Sequence, residues 1–549
     1  MRAFIPFVCL LLVVASCGFT GEAGDRKGDC LVMNNLAEPS QIDPALISVV
    51  EDQRINLALF EGLTSYDPHT LKPIPGVAER WEISDDGLRI RFFLRECHWS
   101  QGDQLVAEDF VYAWRRVLTV PGREEKGKQS YAVVGAYSDA MYCLKGAKDF
   151  HQGREDDFGS VGVRALDAKT LEVELASPTP WFLELLCFPT FMPVHRATVE
   201  RHREYWTRPE NFVGNGAFVL AKRRIGDSLT VARNAHYWDA DQVGLDGIVY
   251  YSTDQIDTAL DQYLAEETDW VRGFNPKKVR AWRKDPQLSR ALQAPEYLGT
   301  YFYRLNVRVP PLDDLRVRLA LNYAVDRAAI TEHLTGLGEE PARGIVPPCA
   351  AAFVPWQDIG DEGISFDPER ARALLADAGF AAGKNFPSLT LAYNTDVKNK
   401  AIAEAVQQMW REHLGIRVEL HNREKRVHMA LERAGDYQVS RGSWVGDYTD
   451  PTTFLEFLMS DATNNRTGWV DAEYDRLVAD SRRLGPAKQA QRLELLQKAE
   501  RRLIRGGAPI IPLFYFRTPY LLRPERFEGI HPNSRDLHPP KYIRKKRRS

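Results

Sequence analysis

Asp447, Arg441 and Trp444 lie within residues 439–455, VSRGSWVGDYTDPTTFL, the stretch with the most chemical potential in the chain. A carboxylate closed into a dry cleft can neutralise a fixed positive charge such as a free amino terminus. Taken alone, Asp447 reads as a plain turn residue ahead of Tyr448-Thr449-Asp450-Pro451. Other reactive groupings are scarce. No HExxH, GxSxG or GxGxxG occurs, and the twelve histidines never fall two, three or four apart, so no helix face offers a histidine pair for a metal. Residues 122–128 fit GxxxxGK, but Gln129 replaces the magnesium-holding Ser/Thr, and Glu124 and Glu125 would repel phosphate. That segment reads as a solvated loop. No converging acid/base set supports an exported hydrolase, the rival of another class, and no cofactor is implied.

Local patterns supply the elements that must carry such a site. Residues 78–117 begin with an Asp85-Asp86-Gly87 turn and a strand with Leu88, Ile90 and Phe92 on one face. A second turn at 99–103 leads to a helix with Asp109 in its first turns and Phe110, Ala113, Trp114 and Val117 on one stripe. Strands are expected at 168–175 and 228–232. Further on, Asp367 and Pro368 start a helix that Gly379 ends. Leu389, Leu391 and Tyr393 alternate as a strand, Ile402 to Leu414 form a helix face stopped by Gly415, and Ile416, Val418 and Leu420 alternate again. Strands alternating with helices point to α/β domains.

The bulk numbers bound the class. With 549 residues, 44% hydrophobic and a net charge of -3, the chain suits two or three globular domains and gives no reason to expect nucleic acid. Arg2 and the apolar run Ala3 to Val14 read as a secretory signal, too short to span a bilayer. Val14-Ala15-Ser16-Cys17 resembles a lipobox, which would lipidate Cys17 and tether the body through the Gly-rich residues 18–29; an ordinary cleaved signal is the alternative. Seven cysteines include no CxxC, and buried small hydrophobes is the reading for most of them. The basic tail, 541–548, carries six positive charges and reads as a solvated, frayed terminus or as a contact for anionic lipid or protein.

Residues 78–117 closely resemble the signature of the bacterial family 5 solute-binding proteins, the oligopeptide- and dipeptide-binding lipoproteins of ABC importers. Leu59-Phe60-Glu61-Gly62-Leu63, Gly214-Asn215-Gly216-Ala217-Phe218 with Asn234 and Tyr237-Trp238, and residues 317–327 (VRLALNYAVDR) match further blocks in order. The resemblance implies an α/β, type II periplasmic binding protein with a three-domain, two-lobed architecture, a hinge and an interdomain ligand cleft. Its domains would be a discontinuous domain I (30–60, 190–300 and 516–549), domain II (61–189) and domain III (301–515), after a signal at 1–16 and a tether at 17–29. The ligands it implies are short peptides, delivered to permease and ATPase subunits of an ABC importer by a lipid-anchored monomer at a bacterial membrane. A murein peptide, nickel chelate or oligosaccharide on the same scaffold is the alternative.

By the same resemblance, Asp447 would pair with the peptide's α-ammonium, and Arg441, Ser443, Trp444, Tyr301, Asn399 and Val50 would line the cleft. Tyr297, Tyr301 and Tyr303 form an aromatic strand that suits a cleft wall or core packing equally. The chain departs from its relatives at several ligand positions: Lys425 replaces a tryptophan, Asn399 a histidine, Ser48 a glutamate, and Glu432 an arginine. Two positions joined by a disulfide in some relatives are Gly299 and Val445 here.

Overall fold

A computed structural model describes residues 28–122, 133–273, 276–359 and 363–547. Cys17, the signal and nearly all of the GxxxxGK loop lie outside the described residues. Among those described, no helix is long and apolar enough to cross a membrane.

The local patterns fold as their periodicity dictates. Strand Arg89–Leu94 buries Ile90, Phe92 and Leu94 and turns its arginines outward. Helix Ala107–Leu118 follows, burying Phe110, Ala113, Trp114 and Val117. Asp109 fixes the helix start by accepting from Val106 N at 3.0 Å and from Trp99 Nε1 at 3.2 Å. Helix Pro368–Asp377 is capped by Asp367, which accepts from Arg370 N at 2.9 Å. Strands Leu389–Asn394 and Val418–Arg423 pair in parallel, joined by helix Val397–Leu414. Gly415 ends that helix at φ 69, a conformation that favours glycine.

Three principal sheets build the molecule. A seven-stranded sheet joins Cys30–Asn34 with strands from 218–293 and with Tyr520–Leu522. A four-stranded antiparallel sheet comprises Ala78–Ile83, Arg89–Leu94, Thr170–Glu174 and Val163–Asp167. One apolar core serves both, from Leu31 through Trp114 and Trp206 to Tyr520 and Ile543. A five-stranded sheet (Val418–Arg423, Leu389–Asn394, Val439–Val445, Glu296–Leu305, Ile510–Arg517) has its own core, from Leu298 through Trp410 to Phe514. Two cores separated in this way are what two lobes require.

Residues of the sequence blocks quoted above hold these lobes together internally. The Glu61 carboxylate accepts from Tyr237 Oη (2.8 Å), Trp238 Nε1 (2.6 Å) and Lys541 Nζ (2.6 Å). Asn215 brackets the Glu61 backbone, accepting from its N at 3.1 Å and donating to its O at 2.8 Å. Gly216 lies so close to the preceding helix end that a Cβ would stand 2.5 Å from Ala58 O, so no side chain fits. In the other lobe, Asn322 donates to Ile510 O (2.9 Å), and Arg327 donates to Pro512 O (2.6 Å) and to Asn322 Oδ1 (2.7 Å).

One expectation is corrected here. The basic tail is not frayed over its described length. Lys541 is buried against Glu61, Ile543 sits in the first core, and Arg544–Lys545 pairs as a strand with Phe527–Glu528. A buried carboxylate partner and one core isoleucine outweigh the mutual repulsion of the charges that follow.

Candidate ligand cleft between the two cores

Asp447 stands where two cavities meet. The larger, about 900 Å³, is lined from the first core's side by residues of 137–188 and from the second's by residues of 444–482. The smaller, about 260 Å³, takes in Ser48, Val50, Tyr297 and Arg535. Tyr137, Phe188, Val445 and Asp447 line both, so the two are chambers of one cleft.

Strand Val439–Val445 delivers the aspartate. It pairs antiparallel with Glu296–Leu305, placing Gly299 opposite Val445, Thr300 opposite Trp444 and Tyr301 opposite Ser443. Gly299 and Val445 are therefore direct cross-strand neighbours. On its other side the strand pairs with Leu389–Asn394 only at Val439 and Ser440, so its later residues leave that sheet neighbour before reaching the cleft. Past the strand, Gly446 N donates to Leu298 O (2.8 Å) and Asp447 N to Thr453 Oγ1 (3.2 Å), which fixes the turn.

The Asp447 carboxylate makes no ion pair among the described residues. By surface area it is exposed, but the cleft walls surround that surface. The protein packed around the carboxyl desolvates it and pushes it up to about 6; Arg535 pulls the other way and Asp139 adds to the rise. Arg535 is itself committed, donating to Glu184 Oε1 (3.0 Å) and to Tyr66 Oη (3.1 Å).

The remaining expected site residues are placed as follows. Trp444 lines the larger chamber and stacks on Phe457 at 4.4 Å, and Val50 lines the smaller. Arg441, Ser443, Tyr301 and Asn399 line neither chamber. Tyr301 is buried, stacks on Phe514 at 4.8 Å and donates to Asn399 Oδ1 at 3.1 Å. Asn399 is buried too, and the Arg441 guanidinium rests 4.7 Å over the Tyr301 ring. Glu432 is buried, with Arg466 at 2.9 Å and Arg304 at 3.3 Å.

Sequence reasoning missed the share of the cleft supplied by residues 137–188. Trp181 stacks on Tyr448 at 4.9 Å with planes 6° apart. Glu184 accepts from Thr449 N (3.0 Å) and Thr449 Oγ1 (2.7 Å). The residues 180–184, PWFLE, carried a weak signal, an aromatic pair after a proline with a lone acid.

The model of the bacterial extracellular solute-binding proteins, family 5, matches residues 72–466. The chain belongs to that family. It is 32% identical over 535 residues to the periplasmic murein peptide-binding protein MppA of Escherichia coli (strain K12), covering 95% of this chain and 96% of that one. It is 34% identical over 523 residues to the periplasmic oligopeptide-binding protein OppA of Salmonella typhimurium, covering 93% and 92%. Among solved structures, the unliganded open form of the MppA murein tripeptide-binding protein superposes with a TM-score of 0.78, at 32% identity over 94% of this chain and 98% of that one. The fold is the family's type II periplasmic binding fold.

Proposed function

We propose that this family 5 protein is an extracytoplasmic receptor that captures short peptides between its lobes and delivers them to the permease and ATPase subunits of an ABC importer, catalysing no reaction. The observation that carries this reading is Asp447: a carboxylate with no ion pair among the described residues, where two chambers meet between two cores. A peptide's amino terminus brings the one charge every unmodified peptide shares. The later residues of Val439–Val445, released from their sheet neighbour, suit backbone pairing that reads no side chains.

The division into domain I (30–60, 190–300, 516–549), domain II (61–189) and domain III (301–515) is supported by the three sheets, with the crossings between lobes near the ends of Glu296–Leu305 and Ile510–Arg517. In this reading Cys17 carries a lipid that tethers a monomer to the membrane. Trp444 and Val50 act as chamber walls. Arg441, Ser443, Tyr301 and Asn399 act behind them as support. A murein peptide is the second reading, favoured by the likeness to MppA.

Calorimetric titration with short peptides tests the proposal. Asp447→Ala leaves the ammonium unpaired, a cost of roughly 3–5 kcal/mol, or about 100-fold or more in affinity. N-acetylated peptides should bind as poorly to the unaltered protein. Equal binding of blocked and free peptides would remove Asp447 from this role. Mass spectrometry of copurified ligand separates ordinary from murein peptides.

A further inference from the structure

The charges lining the cleft are lopsided. The larger chamber presents Asp139, Asp447, Glu456 and Asp461 against one cation, Arg482. Arg482 is spent on Glu456, with Nε to Oε1 at 2.6 Å. The smaller chamber adds Arg535, which is held by Glu184. Among the described residues, Asp139, Asp447 and Asp461 make no ion pair. If Asp447 takes the peptide's ammonium, Asp139 and Asp461 remain, facing whatever side chains follow. The Trp181–Tyr448 and Trp444–Phe457 stacks line the same chamber, and aromatic faces attract cations.

A second consequence concerns the ligand's other end. Among the described residues, neither lining cation, Arg482 or Arg535, is free to meet a carboxylate. Arg441 and Lys398 in the second lobe line neither chamber. Arg441 lies over Tyr301, and Lys398 lies 5.0 Å from the Phe514 ring centre and 3.9 Å from Glu339.

We infer that the cleft selects peptides bearing lysine or arginine side chains near the amino end, and that it does not read the peptide's carboxylate. This rests on the peptide-binding reading above and names its substrate class. The carboxylates of Asp139 and Asp461 are exposed to cleft water, so each contributes modestly. Reversing the ligand's charge against both amounts to roughly tenfold in affinity.

The test is titration calorimetry at low salt with one tripeptide framework carrying Lys, Ala or Glu at its second position. Each is offered with a free amino end, with an acetylated one, and with an amidated carboxyl end. The expected order is Lys above Ala above Glu, with about tenfold between the extremes. Salt should compress that gap, and so should the Asp139→Asn/Asp461→Asn double variant, which keeps its dependence on a free amino end. Amidation should change affinity by less than about threefold. Equal binding of the Lys and Glu peptides, with acetylation still harmful, would overturn the selectivity and leave peptide binding standing. Loss of the acetylation effect would instead remove Asp447 as the amino-end anchor, and absence of binding by any of the free peptides would sink the peptide reading itself. A tenfold loss on amidation would show a cation engaging the carboxylate and overturn the second half.

Discussion

Thr449 donates both its backbone N–H and its hydroxyl to the carboxylate of Glu184, joining chain segments 265 residues apart across the cleft. The contact lies two residues beyond Asp447, and Trp181 stacks on Tyr448 beside it. Closure of the lobes and placement of the aspartate are thus coupled through one short segment. Hydrogen bonds to a charged group contribute roughly 1.5–3 kcal/mol. Thr449→Val removes the hydroxyl and keeps the backbone bond, and should weaken ligand binding by about tenfold. It should also shift small-angle scattering of the free protein toward a larger radius of gyration. Unchanged affinity and radius would make the contact incidental.

Affinity should depend on pH through Asp447. In the free protein its carboxyl is pushed up to about 6 by burial; paired with an ammonium it titrates lower. Binding strength is therefore fully present above the free-state value and declines progressively as pH falls from about 6 toward the lower value the carboxyl takes when paired. Titrations from pH 8 to pH 4.5 should show a plateau and then a decline, and Asp447→Asn should abolish that dependence. The same variant should be no less stable than the parent to heat. The folded-state carboxyl titrates above its ordinary value, so its charge works against folding above about pH 6.

The start of helix Ala107–Leu118 depends on Asp109, whose carboxyl burial raises to about 6 while Val106 N and Trp99 Nε1 donate to it. Asp109→Ala should cost about 1–2 kcal/mol in urea unfolding. Asp109→Asn keeps an acceptor and should recover much of it. Neither should alter peptide affinity.

Lys541 is the clearest test of the docked tail. It is buried against Glu61 at 2.6 Å. Lys541→Met leaves that carboxylate with only Tyr237 and Trp238, and breaking a buried pair from one side costs roughly 3–5 kcal/mol. A stability loss below about 1 kcal/mol by chemical denaturation would return the tail to a surface role.

What could be read beforehand follows physical range. Ile90 and Phe92, or Ile402 through Leu414, declare their faces through spacing along a few turns, and the strands and helices carry those periods. Asp447 was legible because a long block surrounds it. Glu184 and Trp181 were not, because their significance lies in Thr449 and Tyr448, which approach only when the other lobe is in place. Lys541 misled for the same reason: six charges read as solvated until Glu61 is known to wait beneath one of them. Tyr301, open to either role in the sequence, lies in the second core with Asn399 and Phe514.

Asp447 belongs to both chambers at once. On the proposed reading, a guest tethered at that shared boundary would be gauged from its beginning alone: the anchor would set the first position, and the space on either side how much can follow. Tolerance of varied extent would then come from the tether's location.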